Sequence, residues 1–351
     1  MILFYILVLI IAFYLLAKIS DNYFVVSLDQ IANRLKLSSE ASGATLMAVG
    51  SSAPELFIAI IALAKPGDHE MIGMGTIIGS ALFNILVIVG ASALVKKAVL
   101  TWHSVMRDTI FYAFSILLLL YAFKDGIIEF NEAFIFVILY IIYIISVINW
   151  KKIAPYKDID VVEDIGKGWQ ERTQKKWYNI FKPFDKLLEL VYKPIKNYLL
   201  VFLFSIILIA GLSWVLVESA IVISVFLGIP SAIIALTVLA MGTSVPDLIS
   251  SWIVAKQARG GMAISNSIGS NIFDILFGLG APWFIILLFS NEKIAVSTEN
   301  LYSSVILLFA TVIVIIFMLI AKRWKLGYRA GYFLIFLYIL YLAWAISQIY
   351  I

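Results

Sequence analysis

Three carboxylates and one amide sit inside apolar runs of this chain, and an internal repeat fixes their positions. Gly43 to Leu56 reads GATLMAVGSSAPEL and Ala235 to Leu248 reads ALTVLAMGTSVPDL, so Glu55 corresponds to Asp247. Farther along, GSALFNIL from Gly79 to Leu86 matches GSNIFDIL from Gly269 to Leu276, which pairs Asn84 with Asp274. An ionisable side chain within a membrane helix costs roughly 2.5 to 3.5 kcal/mol on insertion scales and marks an ion or substrate path. Hydroxyls accompany these groups. Ser51 and Ser52 precede Glu55, Thr243 and Ser244 precede Asp247, and Ser80 and Ser270 lie one turn before Asn84 and Asp274 on the same helix face.

Each first motif also contains a helix breaker, Pro54 after Gly50 and Pro246 after Gly242. Proline removes a backbone donor and clashes with a preceding carbonyl, and glycine weakens the helix beside it. A break at membrane depth is tolerated where the backbone lines a cavity, and freed carbonyls then become ligands; those of Ala48 and Ala240 are expected to be free. Every donor in this set is an oxygen, which suits hard cations such as calcium and sodium. Zinc and copper prefer nitrogen and sulfur, yet the chain has no cysteine and only two histidines, His69 and His103, both in loops. If Glu55, Asp247 and Asp274 all ionise beside neutral Asn84, one calcium leaves a negative charge over. A monovalent cation or a proton would complete neutrality, and several sodium ions would do so instead. Competing occupancy of one acidic site is the physical basis of exchange. Asn84 also has the simpler reading of an amide that glues helices together.

Elements that place such residues must cross a bilayer. With 63% hydrophobic and 14% charged residues among 351, and a mean hydropathy of +1.02, the composition excludes an ordinary soluble domain. Ten helical spans are predicted, over 2–18, 42–64, 71–95, 106–123, 131–150, 198–226, 231–256, 262–289, 301–321 and 326–349. The first has an apolar face that continues through Ile31, Leu35 and Leu37, and its start lacks the basic end and cleavage site of a secretory signal. Arginine and lysine concentrate in the odd-numbered loops, as at Arg34, Lys36, Lys96, Lys97, Arg107, Lys256, Arg259, Lys322, Arg323, Lys325 and Arg329. The positive-inside rule then makes those loops cytoplasmic and puts both termini outside. A polar linker over 151–197 divides two halves, 1–150 with the first repeat at 42–95 and 198–351 with the second at 231–289. Five spans per half force opposite orientations, giving an all-α membrane protein of two inverted repeats with interrupted helices 2, 3, 7 and 8 around a midplane site. The linker reads as a cytoplasmic connector whose aromatic residues Trp169, Trp177, Tyr178 and Phe181 rest on the membrane.

The repeated motifs resemble the alpha-repeats of the cation/calcium exchanger superfamily. GATLMAVGSSAPEL with GTIIGSALFNIL, and LTVLAMGTSVPDLISS with GSNIFDILFGLG, are most similar to its potassium-dependent sodium/calcium branch. That resemblance implies alternating access, with the first and sixth spans moving across a fixed core. It implies that Glu55 and Asp247 coordinate calcium and sodium, that Ser51, Ser52, Ser80, Thr243, Ser244 and Ser270 support them, and that Asp274 is linked to potassium. The expected function is therefore a secondary antiporter exchanging sodium for calcium, with potassium moving alongside calcium. The alternatives are potassium-independent sodium/calcium exchange, proton/calcium exchange and, from another class, a cation channel. Proton/calcium exchangers carry an Asn-Ala-Thr-Glu-like motif where this chain has Ser51 to Glu55 and Thr243 to Asp247. No catalytic reaction, bound cofactor, nucleic acid or obligate protein partner is expected; the lipid bilayer and the transported ions are the partners.

Overall fold

The computed structural model describes residues 2–34, 46, 48–65, 69–95, 97–100, 102–153, 181–256, 260–290, 293–296 and 299–348. Among them, nine helices are long and apolar enough to cross a membrane, and Ala53–Ala64 is a shorter apolar helix between the first two of these. These ten form the spans, and the fold is an all-α inverted repeat. Leu35, Leu37, Trp169, Trp177 and Tyr178 lie outside the described residues.

The first span is longer than the stretch ending at 18. Its α-helix Ile2–Ile19 passes through a π-helical turn, Ser20–Phe24, into Val25–Arg34 without a break. Hydropathy falls at Lys18 to Asn22, but the helix continues alongside the sixth span, Tyr198–Leu227, with Lys18 paired to Asp185 and the Ser20 hydroxyl donating to the Gly50 carbonyl. The second span does break, at Ser52, into Ala48–Ser51 and Ala53–Ala64. The third span, Glu70–Val95, is interrupted by a π turn at Asn84–Ile88. The seventh, 231–256, carries one at Ala235–Leu239 and then runs through Pro246 as one helix, Ala240–Lys256. The eighth, 260–289, carries one at Asp274–Leu279. Asn84 and Asp274, partners in the repeat, thus each open a π turn. A π turn inserts one extra residue and loosens the ladder of backbone hydrogen bonds, and such turns gather at functional sites.

The fourth and fifth spans are Trp102–Ala122 and Phe130–Ile153, and the last two are Glu299–Ala321 and Tyr328–Ser347. Two short antiparallel strand pairs tie the halves together: Ala98–Val99 with Lys325–Leu326, and Ile127–Ile128 with Ile294–Ala295. The first joins the loop after span 3 to the loop after span 9, and the second joins the loops after spans 4 and 8. Odd loops meet odd loops and even meet even, as ten alternating crossings require.

Packing separates two clusters. The larger is built mainly from spans 3, 4, 5, 8, 9 and 10. A smaller one gathers Leu9, Leu16 and Phe24 of span 1 with Ile209, Leu216 and Ala220 of span 6 and a few residues of spans 2, 3 and 7. Outward faces are apolar, as at Leu203, Ile207 and Trp214, which suits contact with lipid. Inside, spans 3 and 7 approach to backbone contact at Gly79, where an added Cβ would sit 2.3 Å from the Leu236 carbonyl oxygen. Small residues permit such approach between membrane helices.

Candidate cation site

The break at Ser52 has a local cause. Pro54 lacks the N–H that would bond to the carbonyl of Gly50, so the helix restarts with proline in its first turn and Glu55 beside it. Glu55 therefore stands at a helix N-terminus, where the macrodipole favours negative charge. The carbonyl released is that of Gly50, and the Ser20 hydroxyl of span 1 donates to it at 2.9 Å. Ala48 does not fit the expectation of a freed carbonyl, since its oxygen accepts the Ser52 backbone N–H at 3.0 Å and lies 3.4 Å from the Ser51 hydroxyl. The reason is reach: proline orphans the carbonyl four residues back, not six. Ala240 also lies within an unbroken helix, with the Thr243 hydroxyl donating to the Leu239 carbonyl at 3.1 Å and to that of Ala240 at 3.4 Å. A carbonyl oxygen has a second lone pair, so both alanines retain capacity for a cation.

Around Glu55 the two repeats interlock. Thr243 and Ser80 face its carboxylate. Ser80 and Ser244 share a hydroxyl–hydroxyl hydrogen bond at 2.7 Å, and Ser51 and Ser270 share one at 3.2 Å. Each bond joins one half of the chain to the other. Ser52 faces Asp274, and Glu55 lies within Coulombic range of both Asp274 and Asp247. Glu55, Asn84 and Asp274 are buried, whereas Asp247 and Ser51 are only half-buried and mark the more open side.

Several buried oxygens have no hydrogen-bond partner: Oε2 of Glu55, Oδ1 of Asn84 and both carboxylate oxygens of Asp274. Burying such a group unpaired costs about 1–3 kcal/mol, and more when it is charged. Oxygens left orphaned together, on elements that are otherwise closely packed, fit the donor set of a hard cation. Among the described residues no three carboxylates or imidazoles converge as a metal cluster, so the three acids do not close on one point. A cation here would combine one or two carboxylates with hydroxyl, amide and carbonyl oxygens.

Two groups of residues join this arrangement without having been singled out in the sequence. Asn271 accepts from Asn84 Nδ2 at 2.9 Å and donates to the Ala81 carbonyl at 3.1 Å and to the Tyr112 hydroxyl at 3.0 Å. It thereby fixes the Asn84 amide so that Oδ1 is the free end. Comparing repeats conceals Asn271 because its counterpart is Ala81; its spacing of three from Asp274 was the available signal. Ser20 and Ser213 form the second group, reaching the second span from spans 1 and 6. The Ser213 hydroxyl donates to the Pro54 carbonyl at 3.5 Å.

Comparison with known proteins gives a consistent result. The sodium/calcium exchanger protein family matches residues 5–149 and 197–347. Sodium/potassium/calcium exchanger 4 of Homo sapiens is 26% identical over 95% of this chain and 79% of its own length. Sodium/potassium/calcium exchanger 3 of Mus musculus is 27% identical over 95% and 79%. Among solved structures, the sodium-calcium exchanger NCX_Mj is 25% identical, with a TM-score of 0.58 over 98% of this chain and 99% of that one. The H+/Ca2+ exchanger CAX has a TM-score of 0.72 at 17% identity, covering 97% of this chain and 82% of that one, and this match concerns the fold alone.

Proposed function

Because the chain belongs to the sodium/calcium exchanger family, we propose that it is a secondary antiporter that lets sodium run inward to expel calcium, with potassium accompanying calcium. One observation carries this reading: the buried oxygens of Glu55, Asn84 and Asp274 lack partners where the two inverted repeats meet. Glu55 and Asp247 are assigned to calcium and sodium, with Ser51, Ser52, Ser80, Thr243, Ser244, Ser270 and the Ala48 and Ala240 carbonyls as further oxygens. Asp274 is assigned to potassium. Its repeat partner Asn84 is neutral, so the second half carries one negative charge more, and a monovalent cation beside calcium balances it. Relatives named sodium/potassium/calcium exchangers support this assignment.

The same proposal covers mechanism and placement. An empty set of carboxylates resists crossing a low-dielectric barrier, so only the ion-filled site alternates between faces. Spans 1 and 6, which pack along each other in a cluster apart from the main core, are the moving pair. The halves are 1–150 and 198–351, joined by a cytoplasmic linker, with both termini outside. Calcium-45 uptake into sodium-loaded proteoliposomes, with and without external potassium, tests the reading. Uptake should need the outward sodium gradient and rise several-fold with potassium. Uptake indifferent to sodium would refute exchange, and indifference to potassium would remove that ion alone.

A further inference from the structure

The described part of the linker is more than a solvated connector. Its helix Lys182–Tyr192 lies against span 1 and reaches span 6. Near its start, Asp185 accepts from the Tyr14 hydroxyl at 2.6 Å and pairs with the Lys18 ammonium at 3.5 Å, while Phe181 stacks on Tyr14 with ring centres 4.3 Å apart. At its end, the buried Tyr192 ring stacks on Tyr23 of span 1 at 3.6 Å and 9°. The hydroxyl of the same Tyr192 shares a hydrogen bond with Ser205 of span 6 at 2.9 Å, and its ring meets Phe204 edge-on. One side chain therefore touches both spans. Leu188 and Tyr192 belong to the smaller hydrophobic cluster and not to the main core.

We infer that this linker helix is a clasp that holds span 1 to span 6 so that the two travel as one body, with Asp185 and Tyr192 as positioning residues. The inference rests on the reading that these spans move during exchange. A pair sliding past a fixed core must stay in register, because the Ser20 and Ser213 hydroxyls meet carbonyls of the second span from opposite partners. Direct contacts between the two spans include Phe24 stacked on Phe202 and the Arg34 guanidinium over the Tyr198 ring at 5.0 Å, and ring contacts of this kind fix register less sharply than hydrogen bonds do. The clasp adds directional hydrogen bonds and an ion pair that define one register.

The chain has no cysteine, so paired cysteines can be introduced into the full-length protein without background. Y23C/Y192C loses the Tyr192 contacts to span 6, so unlinked in proteoliposomes it should retain sodium-dependent calcium exchange at a rate about as low as that of Asp185→Ala; joining the two cysteines with a short bifunctional thiol reagent should lower that rate no further, because the clasp rides with span 1. K65C/E218C replaces an ion pair between the end of span 2 and span 6, and linking it should stop exchange until the link is cleaved. If the second link leaves exchange intact, the moving-span reading fails. If the second link blocks and the first also blocks while the unlinked Y23C/Y192C protein transports, the clasp alone is overturned. Asp185→Ala should lower the maximal rate about fivefold with half-saturating calcium unchanged, and Asp185→Glu should restore it. A wild-type rate in Asp185→Ala would also overturn the clasp.

Discussion

Asp274 and Glu55 are both buried acids, but their surroundings give them different tasks. Thr243 and Ser80 face Glu55 from the opposite half and the same half of the chain, so its carboxylate stands where the two repeats share oxygens. Asp274 opens a π turn, keeps both carboxylate oxygens unpaired, and faces Ser52. Removing one partner of a buried charge pair costs about 3–5 kcal/mol, and a tenfold change in affinity corresponds to about 1.4 kcal/mol. Glu55→Gln, which takes a buried carboxylate from the ion, should therefore reduce calcium exchange by at least about a hundredfold, and Asp247→Asn, on the more open side, by at least about tenfold. Asp274→Asn converts the second repeat to the neutral state of the first at Asn84, and should weaken potassium stimulation more than calcium binding. Full transport by Glu55→Gln or Asp247→Asn in reconstituted vesicles would refute the assignment. At this scale the repeat made four positions legible, because a recurring acid or amide in an apolar run stands out against the sequence around it. Asn271 was hidden by the same comparison, and Ser20 and Ser213 by lying outside the repeated motifs altogether.

The placement of these side chains depends on how closely their helices approach. Spans 3 and 7 touch at Gly79, and a Cβ there would meet backbone, both the Leu236 carbonyl oxygen at 2.3 Å and its carbon at 2.8 Å, which no rotamer change can relieve. Overpacking of this sort costs typically about 1–3 kcal/mol when neighbours can shift. Gly79→Ala should push span 3 off span 7, separate Ser80 from Ser244, and reduce both detergent thermal stability and exchange by at least tenfold in rate. Gly211, on the lipid-facing side of span 6 with nothing within 4 Å of an added Cβ, provides the control. Gly211→Ala should leave both properties unchanged; equal damage at the two sites would show that close approach at Gly79 is not what matters. Hydropathy made the ten spans and most of their ends legible. It did not reveal the π turns at Ser20, Asn84, Ala235 and Asp274, since one inserted residue barely alters an apolar pattern while rotating everything after it. Nor did it reveal that Pro246 is carried within a continuous helix while Pro54 follows a break. The two motifs read alike, differing just before the proline only in Ser51 and Ala53 against Thr243 and Val245.

Over the whole molecule, neither half closes a site alone. The hydroxyl pairs Ser80–Ser244 and Ser51–Ser270, the amide pair Asn84–Asn271 and both strand pairs all run between halves. Spans 3 and 10 lie side by side, and so do spans 4 and 9, which spreads the interface across the main core. An interface of this extent should assemble from separate chains, provided each half inserts with its own orientation and the linker helix stays with span 6. Cutting the chain between residues 165 and 166 leaves Lys182–Tyr192 on the second fragment and all five spans of each half intact. Coexpressed fragments should copurify and support sodium-dependent calcium exchange within several-fold of the uncut protein. Either fragment reconstituted alone should give none, because half of every hydroxyl and amide pair would be missing. Exchange by a single fragment would refute this, and cross-linking of that purified fragment would show whether it works alone or paired with a copy of itself.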